Sequence, residues 1–211
     1  MSTTYLEMCQ RVRQKCSVGS SGPTTVTSQT GMLKNIVDWV ANDWLWIQNK
    51  RPDWLFMWED FDDESTAVGV TEYDLGRLRG DLFLDGTALS YYDYDSFRDL
   101  VDYGDIESIT GDPIYWTIRP DKQIKIAPAP TEIGTLSGER YGDPQTLSVD
   151  ADVISLPDEY LDVIFWKAVQ SYAIHEEAVF LYQVSTEEFN SMYAKLCNEQ
   201  LPPVEFSGAM V

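Results

Sequence analysis

Residues 31–50 read GMLKNIVDWVANDWLWIQNK, and their spacing sets the class of this chain. Leu33, Ile36, Val37, Val40, Trp44 and Ile47 follow one another at helical intervals, which defines a helix with an apolar stripe. Trp39 and Trp46 lie off that stripe, so two faces of the helix are expected to be covered. The helix is predicted to begin near Gly31 or Met32. It should stop near Lys50, because Pro52 disfavours helix for the residue before it.

Upstream, Tyr5, Cys9, Val12 and Cys16 also fall at helical spacing, with Arg11, Arg13 and Lys15 pointing elsewhere. Ser2, Thr3 or Thr4 can cap this helix, and Glu7 stands three residues after Thr4, as in a capping box. The run Ser17 to Pro23 ends it, and residues 24–30 form a polar, Thr-rich connector. Downstream the pattern changes. Trp54, Phe56 and Trp58 alternate with Leu55 and Met57, which predicts a strand with two apolar faces. The acids Glu59, Asp60, Asp62, Asp63 and Glu64 follow, read as a solvated loop. Short strands are predicted at 66–73, 82–84, 114–118, 123–126 and 135–141, with a short helix at 95–101. Residues 114–118 and 123–126 make a hairpin. Helix returns after Leu156-Pro157-Asp158-Glu159, where acids in the first turn suit the helix dipole. A last helix is expected over 186–198, capped by Ser185 or Thr186, with Phe189, Met192, Tyr193 and Leu196 inward. The tail contains Leu201-Pro202-Pro203-Val204-Glu205-Phe206 and is expected to be extended.

The fold class is therefore α+β: mainly a helical bundle of about four helices, with a β-rich inserted lobe and an extended C-terminal tail. Residues 1–52 and 157–198 make the bundle, 53–156 the lobe and 199–211 the tail. A chain of 211 residues suits one domain with a large insertion.

Charge narrows the function. The chain holds 35 acidic and 15 basic residues, a net charge of −20. Residues 53–112 alone carry seventeen acids and three bases, whereas residues 1–16 carry one acid and three bases. Proteins that grip nucleic acid need basic patches that displace counterions from phosphate, so direct DNA or RNA binding is not expected. The acids give either a surface that resists aggregation or one that repels another polyanion. No apolar run is long enough to span a membrane, and the first twenty residues hold no signal-peptide core, so a protein made in a cytosol is expected. Cys9 and Cys16 are read as small apolar residues on a buried face, and the three cysteines make no disulfide framework. His175 is the one histidine, and Val179 stands where a zincin needs a second, so no metal or other cofactor and no catalytic residue is expected. The aromatic content is high: Trp44, Trp54, Trp58 and Trp166 are assigned to core, and Trp39, Trp46 and Trp116 to interfaces.

Several segments together resemble the head–tail connector (adaptor) proteins of tailed bacteriophages. They are Val18-Gly19-Ser20-Ser21-Gly22-Pro23-Thr24-Thr25-Val26, Gln29-Thr30-Gly31 opening the helix with Val37-Asp38-Trp39-Val40 and Trp44-Leu45-Trp46-Ile47-Gln48, Asp53-Trp54-Leu55-Phe56, and Leu156-Pro157-Asp158-Glu159-Tyr160. The resemblance implies structural work without catalysis. It implies a homo-oligomeric ring, commonly of twelve copies, in the neck of the virion, after synthesis in the host bacterial cytoplasm. The ring would lie beneath the portal protein, extend the DNA channel and dock a tail nozzle or other tail component. DNA would pass through without specific binding. By the same analogy, Leu201, Pro202, Pro203, Val204 and Phe206 would dock on the portal. Arg11, Arg13, Lys15, Trp39 and Trp46 are candidates for subunit interfaces, with the basic first helix meeting a neighbour's acidic lobe. The rival readings are a tail-completion protein of the phage neck, a carboxylate-based hydrolase and a ligand-binding module built on the β lobe.

Overall fold

A computed structural model describes residues 3–19, 21–101 and 111–202. The helices are α1 (Tyr5–Lys15), α2 (Gly31–Lys50), α3 (Tyr94–Val101), α4 (Asp162–His175) and α5 (Val179–Gln200). The strands are β1 (Trp58–Ser65), β2 (Glu72–Tyr73), β3 (Arg77–Leu84), β4 (Thr87–Ala88), β5 (Ser90–Tyr91), β6 (Tyr115–Ile118), β7 (Ile124–Ala127) and β8 (Thr135–Tyr141). The fold is α+β, and the chain divides into two compact units: Met1–Met57 with Pro144–Val211, and Trp58–Asp143.

The first unit packs α1, α2, α4 and α5 around one core. The capping box at α1 is formed: Glu7 N–H donates to Thr4 Oγ1 and Thr4 N–H to Glu7 Oε2. Backbone hydrogen bonds from Ser148 and Val149 hold the Asp152 carboxyl below its ordinary range. That carboxylate shapes the segment returning from the second unit, which runs alongside the start of α1 through a bridge between Thr4 and Val153. Gln145 fixes the same segment to α2. Its Oε1 accepts from Trp44 Nε1–H and Ser155 N–H, both at 3.0 Å, and its Nε2 donates to Val153 O at 2.7 Å. Its own N–H donates to Gln48 Oε1 at 2.7 Å, and Gln48 Nε2 donates back to Gln145 O at 3.0 Å. Gln48 is 2 % exposed, so these amides satisfy groups that would otherwise be buried without partners.

Several expectations about the elements are corrected. Residues 54–57 are not strand. Leu55–Met57 forms a 3₁₀ turn, and Trp54 is buried in the helical unit, donating from Nε1 to Ile47 O at 3.0 Å. Aromatic alternation fits a stacked turn as well as a strand: Trp54 lies on Phe56 with ring centroids 5.5 Å apart. Strand in 66–73 shrinks to β2, because Gly69 takes φ +75° and the chain turns there. The helix signal at Pro157 opens a 3₁₀ turn over Asp158–Tyr160 before α4 begins. The last helix starts at Val179, a full two turns before the predicted cap. Ser185 and Thr186 lie inside it, and both hydroxyls donate back to Tyr182 O. Trp58 is exposed, under the guanidinium of Arg79 at 4.1 Å, whereas Trp116 is buried.

The second unit is built from two four-stranded sheets, ordered β1-β8-β3-β4 and β2-β7-β6-β5. All pairs are antiparallel except β5 with β6. Phe61, Leu82 and Leu136 from the first sheet meet Trp116, Ile124 and Ile126 from the second in one core. The predicted hairpin is β6–β7. The acidic string is not a loop: it is β1, an edge strand paired only to β8 among the described residues. Charges along an edge strand keep other strands from adding to it. Arg140 on β8 reaches across to Glu59 at 2.8 Å and Glu64 at 3.2 Å, and these hydrogen bonds, Glu59's first, raise its already high pKa.

Asp43 on α2 is a buried carboxylate held by Ser171 Oγ–H at 2.9 Å. Burial pushes its pKa up to about 6, offset partly by the Ser171 hydrogen bond and the charge of Lys167. The folded protein thus keeps this proton to higher pH than the unfolded chain, whose aspartates titrate near 3.9. The stabilising contribution is complete below about pH 4 and is lost as pH rises to about 6. Asp43→Asn should raise stability at neutral pH by about 2 kcal/mol and flatten the pH dependence in that window, read by urea unfolding across pH. Gln145→Ala leaves the buried Trp44 Nε1–H without its acceptor and should cost about 1–3 kcal/mol, seen as a lower urea midpoint in far-ultraviolet circular dichroism.

Candidate functional site

The interface candidates of the sequence fall on the helical unit, in different situations. Arg11 pairs with Asp162 at 2.7 Å and lies 4.4 Å over the Phe165 ring, which ties α1 to α4. Arg13 turns to the end of its own helix and donates to Gly19 O at 3.3 Å. Lys15 is exposed and sits 5.1 Å from the Trp166 ring. Two of the three cations on α1 are therefore engaged inside the unit. Trp39 is half-buried between α2 and α4, edge-on to Tyr172 and to His175, whose centroid lies 5.5 Å away. Trp46 is 40 % exposed beside Phe189, with the ammonium groups of Lys50 and Lys167 at 5.2 and 5.0 Å from its ring. Leu201 packs against the helical core and Pro202 is half-buried; Pro203, Val204 and Phe206 lie outside the described residues.

One surface was missed. Where α4 turns into α5, Ile174, Val179 and Phe180 are 60, 70 and 78 % exposed. They flank a groove of 230 Å³ lined by Ala173, Ile174, Glu177, Val179 and Tyr182. The corner is tight: Ala178 N–H donates to Ala173 O at 2.9 Å, and Glu177 takes φ +52°. The signal was Val179-Phe180-Leu181, one residue after the acids Glu176 and Glu177. It went unread because Ser185 and Thr186 looked like the start of the helix. Contiguous exposed apolar side chains are a feature of surfaces that meet a protein, a ligand or a membrane.

Cys9 and Cys16 are buried, and burial pushes both thiols up to about 12, far from a thiolate nucleophile. His175 is exposed on α4, with Nδ1 3.0 Å from Glu176 Oε1. Among the described residues no three His, Cys, Asp or Glu side chains are placed to hold a metal ion, and no helix is long and apolar enough to cross a membrane.

A match to a family of adaptor proteins over nearly the whole chain makes this a structural phage protein that works with other head and tail components of a virion. The family model described as SU10 adaptor protein matches residues 3–201, and the chain belongs to that family. No curated protein matches the sequence.

The corner can be separated from the fold. Phe180→Ser should leave stability within about 0.5 kcal/mol, since the side chain is mostly in water. The same change should lower co-sedimentation with tailless phage heads; unchanged co-sedimentation would remove the corner as a docking site.

Proposed function

We propose that this chain forms a ring beneath the portal protein, extends the DNA channel and docks the next tail component. The observation that carries the reading is the family match over residues 3–201, which spans both units. Charge supports it. The second unit has twenty acidic and seven basic residues, and the first has fifteen and eight. Repeated around a ring, a net of −13 on each second unit would repel a passing polyanion and keep DNA from sticking. The ring interface is heterologous, one face of a subunit meeting a different face of the next. Trp46 and Lys15 are its exposed candidates, and Trp39 contributes an edge.

The tail is the proposed portal contact. α5 ends at Gln200, and Pro202 and Pro203 forbid its continuation. Val204 and Phe206 would supply the apolar side chains of that contact, next to Leu201, which packs on the helical core. In this reading the protein is made in the host cytoplasm and carried in the neck of the virion.

The test is the mass in solution, by light scattering after size exclusion, of the protein alone and mixed with its portal. A monomer that becomes a large complex only with portal is the expected result, and deletion of residues 203–211 should abolish it. A monomer indifferent to portal would sink the connector reading.

A further inference from the structure

We infer that the Trp46 face of the helical unit receives the acidic edge strand β1 of a second copy. This rests on the ring reading above and names the contact that closes it. On a chain of net charge −20, Lys50 and Lys167 place two cations beside one exposed indole. Neither ammonium forms an ion pair among the described residues, although the charge of Lys167 acts on the buried Asp43 carboxyl; Lys167 donates to the Gln170 side-chain oxygen, at 2.8 Å. The indole N–H of Trp46 has no acceptor there either. The face thus offers two cations, one N–H donor and a broad aromatic surface, the elements that bind a carboxylate-bearing strand.

β1 is the complement. Its outer edge has backbone N–H and C=O groups with no neighbouring strand among the described residues. Arg140 neutralises Glu59 and Glu64, but Asp60, Asp62 and Asp63 have no ion-pair partner among the described residues. The register shift between Phe61 and Glu64 frees Asp62 and Asp63 from pairing with β8. Three unpaired carboxylates therefore stand on an open edge, facing out from the more acidic unit. The two faces differ, so the contact is head-to-tail and propagates round a ring. Because exposed charges carry it, association should weaken as salt shortens the screening length below about 10 Å.

The test joins carboxylate to ammonium with a zero-length carbodiimide in an equal mixture of unlabelled and isotope-labelled full-length protein, with portal protein present. Mixed-isotope peptides linking Lys50 or Lys167 to Asp60, Asp62 or Asp63 are expected. Cross-linked oligomers that join other positions would overturn this contact and leave the ring standing. No oligomer at all would remove the ring reading and this contact with it. Lys50→Glu with Lys167→Glu should cut oligomer yield about tenfold. Adding Asp60→Lys, Asp62→Lys, Asp63→Lys protein should restore it. Lys50→Glu alone, on an exposed side chain, guards against misfolding; full yield from both lysine variants would overturn the proposal.

Discussion

The helical unit depends on one amide. Its residues come from two stretches of chain that the whole of Trp58–Asp143 separates, so folding must bring a distant segment back against α2. Gln145 is the second residue after that return, and it exchanges hydrogen bonds with Gln48 in both directions. Its side chain also satisfies Trp44, the largest fully buried residue of α2. Closing so long a loop costs entropy, and a directional, half-buried contact offsets part of that cost at one defined register. Leu147, Ile154 and Leu156 can then enter the core, and α4 starts in place against α2.

The two units handle charge differently. In the helical unit, Arg11 and Arg13 are used up in fastening α1, and a single buried acid, Asp43, sits against Ser171. In the sheet unit no described acid is buried, and arginines on β3 and β8 lie across the faces of Trp58, Phe61 and Tyr141. These guanidinium groups cover aromatic rings that solvent would otherwise reach, and they hold part of the carboxylate charge. On β1, Asp60, Asp62 and Asp63 have no ion-pair partner among the described residues.

Long helices were legible in the sequence because their periodicity is strong. α2 spans Gly31–Lys50 as read, and the capping box at Thr4 and Glu7 needs only local chemistry. β8 and the β6–β7 hairpin were legible for the same reason, since alternation and turn residues act over a few positions. What failed depended on distant partners. The acids 59–64 look like a loop by composition, and only pairing with β8, some seventy-five residues later, makes them a strand. Trp116 and Trp58 exchanged roles because burial is set by the facing sheet. The α4–α5 corner was hidden by a serine and a threonine that bond to the preceding turn as readily as they cap. Of the interface candidates, Trp46 is open to a partner, while Arg11 already has one inside the chain.

The strands that enter and leave the second unit are neighbours: Trp58, its first residue, lies opposite Tyr141, close to its last. A segment whose two ends meet is a cassette. It can be lengthened, shortened or exchanged over generations while the helices that receive it keep the same threading. Such a graft point lets the sheet unit change while the helical unit keeps its geometry.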